Sequence, residues 1–189
     1  MKNLKRSLSY LFVAVFAMLF VGCSSKSIYT VEPTPIKKGE AKYVIEEFKL
    51  TLSHGHGRNL ENKTFKNEDE LKDSFAEFIN KKLKEQKLDG TNVDDSYKVK
   101  IDMNYERKYN IGGNALNKPY IDYSVKVFDK NNKLLVSYGY GKHTTKYAYF
   151  EDVAVNAEIA LFKWDAEDEP RDIKLISELI VKDLAELGK

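Results

Sequence analysis

The sequence predicts an α+β fold, a two-layer sandwich in which a mainly antiparallel sheet of about four strands carries two or three helices on one face. Three observations predict it. Residues 97–106 alternate strictly between apolar and polar side chains. Residues 119–143 hold a second alternation, a turn and a returning strand. Two segments, beginning at Leu71 and at Ile173, repeat apolar residues at helical spacing. A sheet with one apolar face and helices with one apolar stripe bury those surfaces against each other.

Taken in order, the folded part opens with a strand over residues 43–52, where Val44, Phe48, Leu50 and Leu52 share one parity and Glu46 interrupts it. A glycine-rich loop, His54-Gly55-His56-Gly57, follows. Asn67 with Glu70 three positions on reads as a helix start. Leu71, Phe75, Phe78, Ile79 and Leu83 then mark an amphipathic helix that ends near Gly90. In the next strand Tyr97, Val99, Ile101, Met103 and Tyr105 face one way, and Lys98, Lys100, Asp102, Asn104 and Glu106 face the other. Ile121, Tyr123, Val125 and Val127 continue the sheet, residues 129–133 turn, and Leu134, Val136, Tyr138 and Tyr140 return as the second arm of a hairpin. Val153, Ala157, Ala160, Leu161 and Trp164 suggest a helix whose other side, with Val155, Ile159 and Phe162, is apolar too. The last helix starts at a polar break with Pro170 in its first turn, runs along Ile173, Ile176, Ile180, Leu184 and Leu187, and ends at Gly188.

Ahead of this domain lies a segment of different character. Lys2, Lys5 and Arg6 precede an uninterrupted apolar run over residues 11–21, and Gly22 and Cys23 follow. That order is a signal peptide. Eleven residues cover roughly 17 Å of a hydrocarbon core about 30 Å thick, too short to span it. The chain divides into a signal peptide over residues 1–22, a tether over residues 23–42 rich in Ser, Pro, Lys and Gly, and a single domain over residues 43–189.

Charge changes meaning once the signal is set apart. The chain has 31 Lys and Arg against 29 Asp and Glu. Three of the basic residues lie before Cys23, so the remainder is close to neutral, and no basic patch argues for nucleic acid. Cys23 is the chain's single cysteine. No disulfide forms within the chain, and the domain is held by its apolar core.

The stretch Leu19-Phe20-Val21-Gly22-Cys23, followed by Ser24-Ser25, resembles the lipobox of bacterial lipoproteins, with Phe20 where leucine is usual. The resemblance implies a diacylglyceryl group on the Cys23 thiol, cleavage before it, acylation (commonly palmitate) of the new amino terminus, and a membrane anchor. Tyr120, Asp122, Tyr123, Val125, Val127, Phe128 and Asp129, with Leu134, Leu135 and Ser137, give the hairpin a pattern similar to small Gram-negative envelope lipoproteins of the β-α-β-β-β-α type. That group includes lipopolysaccharide-assembly lipoproteins, penicillin-binding-protein activators and domains of unknown function. The resemblance implies a non-catalytic accessory that binds an envelope protein or glycolipid in outer-membrane or cell-wall assembly. Ser24, where enteric inner-membrane lipoproteins carry aspartate, implies the outer membrane, facing the periplasm. A surface-exposed adhesin or antigen, and a carrier of a small ligand or lipid, are the alternatives.

Candidate chemistry outside Cys23 is sparse. His54 and His56, one residue apart, would point the same way in an extended segment as metal-binding pairs do, and the hairpin could bring His143 to them; exposed loop histidines explain the same residues. Gly112-Gly113 lacks the lysine and hydroxyl residue of a phosphate loop and reads as a turn. No G-x-S-x-G or H-E-x-x-H occurs. The expectation is a protein without catalysis and without a cofactor beyond its covalent lipid. Tyr138, Tyr140, Tyr147 and Tyr149 crowd one region, as tyrosines do both at recognition surfaces and in half-buried sheets.

Overall fold

The computed structural model describes residues 26–189, apart from 33, 60, 91–94 and 111. It is an α+β two-layer sandwich. Five strands, β1 (Lys26–Thr30), β2 (Tyr43–His54), β3 (Tyr97–Tyr109), β4 (Leu116–Phe128) and β5 (Leu134–Thr144), form one sheet in the order β1-β5-β4-β3-β2. Among the described residues three helices accompany it: α1 (Glu68–Glu85), α2 (Tyr149–Ala160) and α3 (Glu169–Ala185). β3, β4 and β5 form an antiparallel meander, and β1 joins β5 antiparallel. β2 and β3 run parallel. A parallel neighbour needs a crossover longer than a hairpin, which α1 and its loops supply.

The alternation of β3 and β4 is what the sheet uses. Val99, Ile101, Met103, Ile121, Tyr123, Val125 and Val127 are all buried. They meet Leu71, Phe75, Ile79 and Leu83 of α1 and Ile173, Ile176, Ile180 and Leu184 of α3 in one core. Removing such a face from water stabilises the fold by about 25 cal/mol per Å² of apolar surface. α1 starts as its sequence requires: Asn67 Oδ1 accepts from the Glu70 amide at 3.0 Å, and Glu70 Oε2 accepts from the Asn67 amide at 2.8 Å. In the β4–β5 turn, Asp129 Oδ1 accepts from the amides of Asn131 and Lys133, both at 2.9 Å, while Asn132 takes the left-handed φ of 61° that asparagine tolerates.

In β2 the expected parity fails. Tyr43 is buried with Phe48 and Leu50, and Val44 is not. Ile45 pairs with Val99 and Glu47 with Lys100, so Glu46 is an extra residue in the strand. A bulge switches which side chains face inward. The interrupting glutamate is that bulge, and it reaches Lys98 at 3.3 Å and Lys100 at 3.2 Å on the wet face.

Residues 26–31 and Ile36, expected within the tether, take part in the fold. Lys26–Thr30 is an edge strand in register with residues 136–140 of β5, the Val31 amide donates to Leu135 O at 2.8 Å, and Ile36 is buried in the main core. β1 covers a row of main-chain donors and acceptors that β5 would otherwise expose. Edge pairing of this kind needs main-chain partners more than an alternating pattern, and the β-formers Ile28, Tyr29, Thr30 and Val31 were its signal.

The helix expected around residues 153–164 lies earlier and faces the other way. α2 ends at Ala160, and Trp164 is buried in the loop after it. Val155 and Ile159 turn inward to a small second core with Tyr109, Leu116 and Trp164, whereas Val153 and Leu161 are exposed. Both sides of the segment are apolar, so spacing alone does not choose the inward one.

Candidate functional site

The ends of β2 and β3, the starts of β1 and β4 and the end of β5 lie together at one end of the sheet. The carboxyl ends of parallel strands are where crossover connections leave a crevice. A cleft of about 620 Å³ lies there, between the β2–α1 connection, the first turn of α1 and the end of β3.

Arg107 builds its floor. It continues the inward parity of β3 and is 2% exposed. Its Nε donates to Glu169 Oε1 at 2.6 Å and its Nη2 to Glu169 Oε2 at 2.9 Å, while Nη2 also donates to Lys66 O at 2.9 Å. Tyr105 Oη donates to Glu169 Oε1 at 3.3 Å. One guanidinium thus ties the sheet to α3 and to the loop that walls the cleft. Burial works against the Arg107 charge, but the paired contact with Glu169 outweighs it and holds its pKa above the usual value. Burial, with the Glu169 carboxylate beside it, pushes the Tyr105 hydroxyl well up. Phe65 lies against the guanidinium at 5.5 Å and edge-on to Tyr109 at 5.5 Å.

His54 forms another wall. Its Nδ1 is 2.9 Å from Tyr109 Oη, and the two rings stack with centroids 6.0 Å apart. Burial, then the charges of Arg58 and Arg107, hold its pKa below the usual histidine value, so the ring is neutral at pH 7. The α1 carboxylates in the cleft are committed: Glu68 Oε2 accepts from the Leu52 amide at 2.8 Å, and Glu70 closes the helix cap. Exposed Arg58 and Lys63 remain at the rim. The cleft therefore offers positive charge at its mouth and aromatic surface at its back, a combination that binds an anionic group next to an apolar one.

A second polar cluster lies in the same end of the molecule. Thr145 Oγ1 and Tyr147 Oη donate to Asp172 Oδ1 at 2.7 and 2.8 Å, and Asp172 is 1% exposed. Burial pushes the Asp172 carboxyl up to about 6 despite these hydrogen bonds. Trp164 Nε1 is buried nearby without a hydrogen bond of normal geometry. This cluster fastens α3 to the end of β5.

The four tyrosines do not make one surface. Tyr138 is a core residue, 2% exposed, because the inward parity of β5 includes it. Tyr140 is half-buried against Tyr123 at 5.2 Å, and Tyr147 is committed to Asp172 and to the Trp164 ring. Tyr149, 78% exposed, faces solvent beside Phe150. His54 and His56 are separated by two strands from His143, whose Nδ1 donates to Gly141 O at 2.7 Å. Among the described residues no group of three or more His, Cys, Asp or Glu side chains is placed to hold a metal ion. Cys23 and the apolar run before it lie outside the described residues. Among those described, no helix is long and apolar enough to cross a membrane.

Sequence reasoning missed Arg107, Glu169 and Asp172. The signal was present: an arginine at an inward β3 position, and two carboxylates four residues before Ile173 and Ile176 on the α3 stripe.

No family model matches the chain, and no curated protein matches it. Among solved structures it is similar to a minor lipoprotein from Acinetobacter baumannii, at 10% identity and a TM-score of 0.34, covering 76% of this chain and 92% of that one. It is similar to a PDZ domain protein from Parabacteroides distasonis at 11% identity and a TM-score of 0.31, covering 78% of this chain and 38% of that one. A PelC dodecamer subunit from Paraburkholderia phytofirmans matches at 11% identity and a TM-score of 0.30, covering 79% and 97%. No function passes from these likenesses to this chain.

Proposed function

We propose that the protein is a lipoprotein of the bacterial cell envelope, anchored through lipid on Cys23 in the outer membrane and facing the periplasm. It works there as a non-catalytic binding module in outer-membrane or cell-wall assembly. The observation that carries the reading is the segment from Leu11 to Cys23, an apolar run closed by a small residue and the chain's single cysteine. The fold supports it: β1 begins three residues after Cys23, at the end of the sheet that also holds the cleft, though on the opposite edge from β2. A partner with an anionic group suits Arg58 and Lys63, with Phe65 and Tyr109 behind them. Carriage of a lipid between sheet and helices finds no support, since Phe75, Ile79, Ile101, Val125 and Ile180 fill that layer.

Two or three fatty chains hold a protein at a membrane almost permanently, whereas one holds weakly. In fractionated cells the native chain is expected in carbonate-washed outer membranes, and Cys23→Ala is expected to leave them or to remain uncut. A Cys23→Ala chain of mature size that stays in washed membranes would contradict the anchor.

A further inference from the structure

Among the described residues the outer face of α2 has no partner. At 100° per residue, Tyr149, Phe150, Val153, Ala157 and Leu161 fall within about 120° of the helix circumference, and no charged residue lies in that arc. Tyr149 is 78%, Phe150 86%, Val153 56% and Leu161 64% exposed, and Phe162 just beyond is 57% exposed. Isolated exposed apolar residues need no explanation, but a contiguous face of this kind marks a contact.

Three observations say what covers it. The first is where the anchor enters. Lys26 pairs with Tyr140, and β5 runs on from there to Thr144 and into α2 five residues later, so the amino end of β1 and α2 share one end of the sheet. From Cys23 to Lys26 the chain reaches at most about 11 Å. A lipid on Cys23 therefore holds this end against the bilayer.

The second is charge. Glu151, Asp152 and Glu158 lie off the apolar arc and are paired: Glu151 with Arg171 at 3.5 Å, Asp152 with Lys118 at 2.6 Å and Glu158 with Arg171 at 3.3 Å. Exposed Lys146 and Lys163 flank the helix at its two ends. Anionic headgroups thus meet lysines and neutralised carboxylates. The third is residue type: tyrosine, here Tyr149, is enriched at the membrane interface, and phenylalanine and leucine, here Phe150, Leu161 and Phe162, make the apolar face of interfacial helices. Twelve residues make a helix about 18 Å long, enough to lie along the headgroup level but not to cross.

We infer that α2 is an interfacial membrane helix: its Tyr149, Phe150, Val153 and Leu161 face rests in the phospholipid surface of the bilayer that holds Cys23. The inference builds on the anchor proposed above. Lipid and helix together are two points of attachment, and they fix the orientation of the domain with the basic cleft close to the headgroups.

The test uses the full lipidated chain in vesicles of phosphatidylethanolamine and phosphatidylglycerol, with and without brominated acyl chains. Phe150→Trp and Leu161→Trp place fluorophores on α2, Lys130→Trp places one in the turn at the opposite end of the sheet, and buried Trp164 gives a background common to all. Flotation with the vesicles reads the anchor, and quenching reads the helix. The expected result is flotation of every variant, with bromine quenching at positions 150 and 161 at least threefold that at 130. Flotation with equal quenching at the three positions would overturn the membrane helix and leave the anchor standing. A chain that does not float would overturn both. A dimer in detergent that Phe150→Asp dissociates would assign the face to a second copy and overturn the membrane helix.

Discussion

Glu169→Ala is expected to lower the unfolding free energy by about 3–5 kcal/mol, the usual consequence of leaving a buried charge without its partner. Arg107 is enclosed, and both of its contacts to Glu169 would vanish together with the acceptor for Tyr105 Oη. Water cannot easily replace them, because the Arg107 and Glu169 side chains are 3% and 1% exposed. The pair itself is a different matter. Removing both charges in Arg107→Met with Glu169→Met is expected to recover most of the loss, since taking two ions out of water costs about as much as their attraction returns. Urea unfolding followed by the fluorescence of Trp164 reads both variants. A loss below about 1 kcal/mol for Glu169→Ala would mean that Arg107 reaches solvent or another acceptor and is not the closed floor of the cleft.

Asp172 gives the second large effect, and its sign is unusual for a carboxylate. Its pKa is about 6 in the folded chain, raised by burial from 3.8, so the folded state binds the proton more tightly than the unfolded one. Its contribution to stability is fully present below pH 4 and is lost as pH rises through 6. A rise of about two pH units in pKa corresponds to roughly 3 kcal/mol. Asp172→Asn keeps an oxygen for Thr145 and Tyr147 and cannot ionise. Relative to the native chain, the asparagine variant is therefore expected to gain about 2 kcal/mol between pH 4 and pH 7. Paired unfolding curves at pH 4, 5, 6 and 7 measure that difference, and a constant difference across the range would show that Asp172 does not titrate between them.

These two groups mark the boundary of what could be read from the residues. Alternation in β3 and β4 was legible because one face is dry and the other wet, and the Asn67–Glu70 cap and Pro170 announced the starts of their helices. The sheet's fifth strand was not legible. Lys26–Thr30 is held by main-chain hydrogen bonds to β5, which leave little trace in side-chain period. Glu46 was visible as an exception, but a bulge and a misplaced charge look alike until the register with β3 is known. The apolar residues of α2 surround the helix, so which side faced the core depended on Trp164 and Tyr109, distant in sequence. Arg107, Glu169 and Asp172 were hidden for a related reason: each is a charge in an apolar position whose partner comes from another element. The crowded tyrosines illustrate the converse, since neighbours in sequence were sent to the core, to a hydrogen bond and to solvent.

The cleft, the exposed face of α2 and the first residue of β1 all lie at one end of the sheet, and their meaning turns on Cys23. Mass spectrometry of the native protein's amino-terminal peptide from isolated membranes tests that directly. The expected result is a chain beginning at Cys23 whose thiol carries a diacylglyceryl group and whose amino group is acylated. A mature chain that keeps residues 1–22, or begins elsewhere, with an unmodified Cys23 thiol would contradict it.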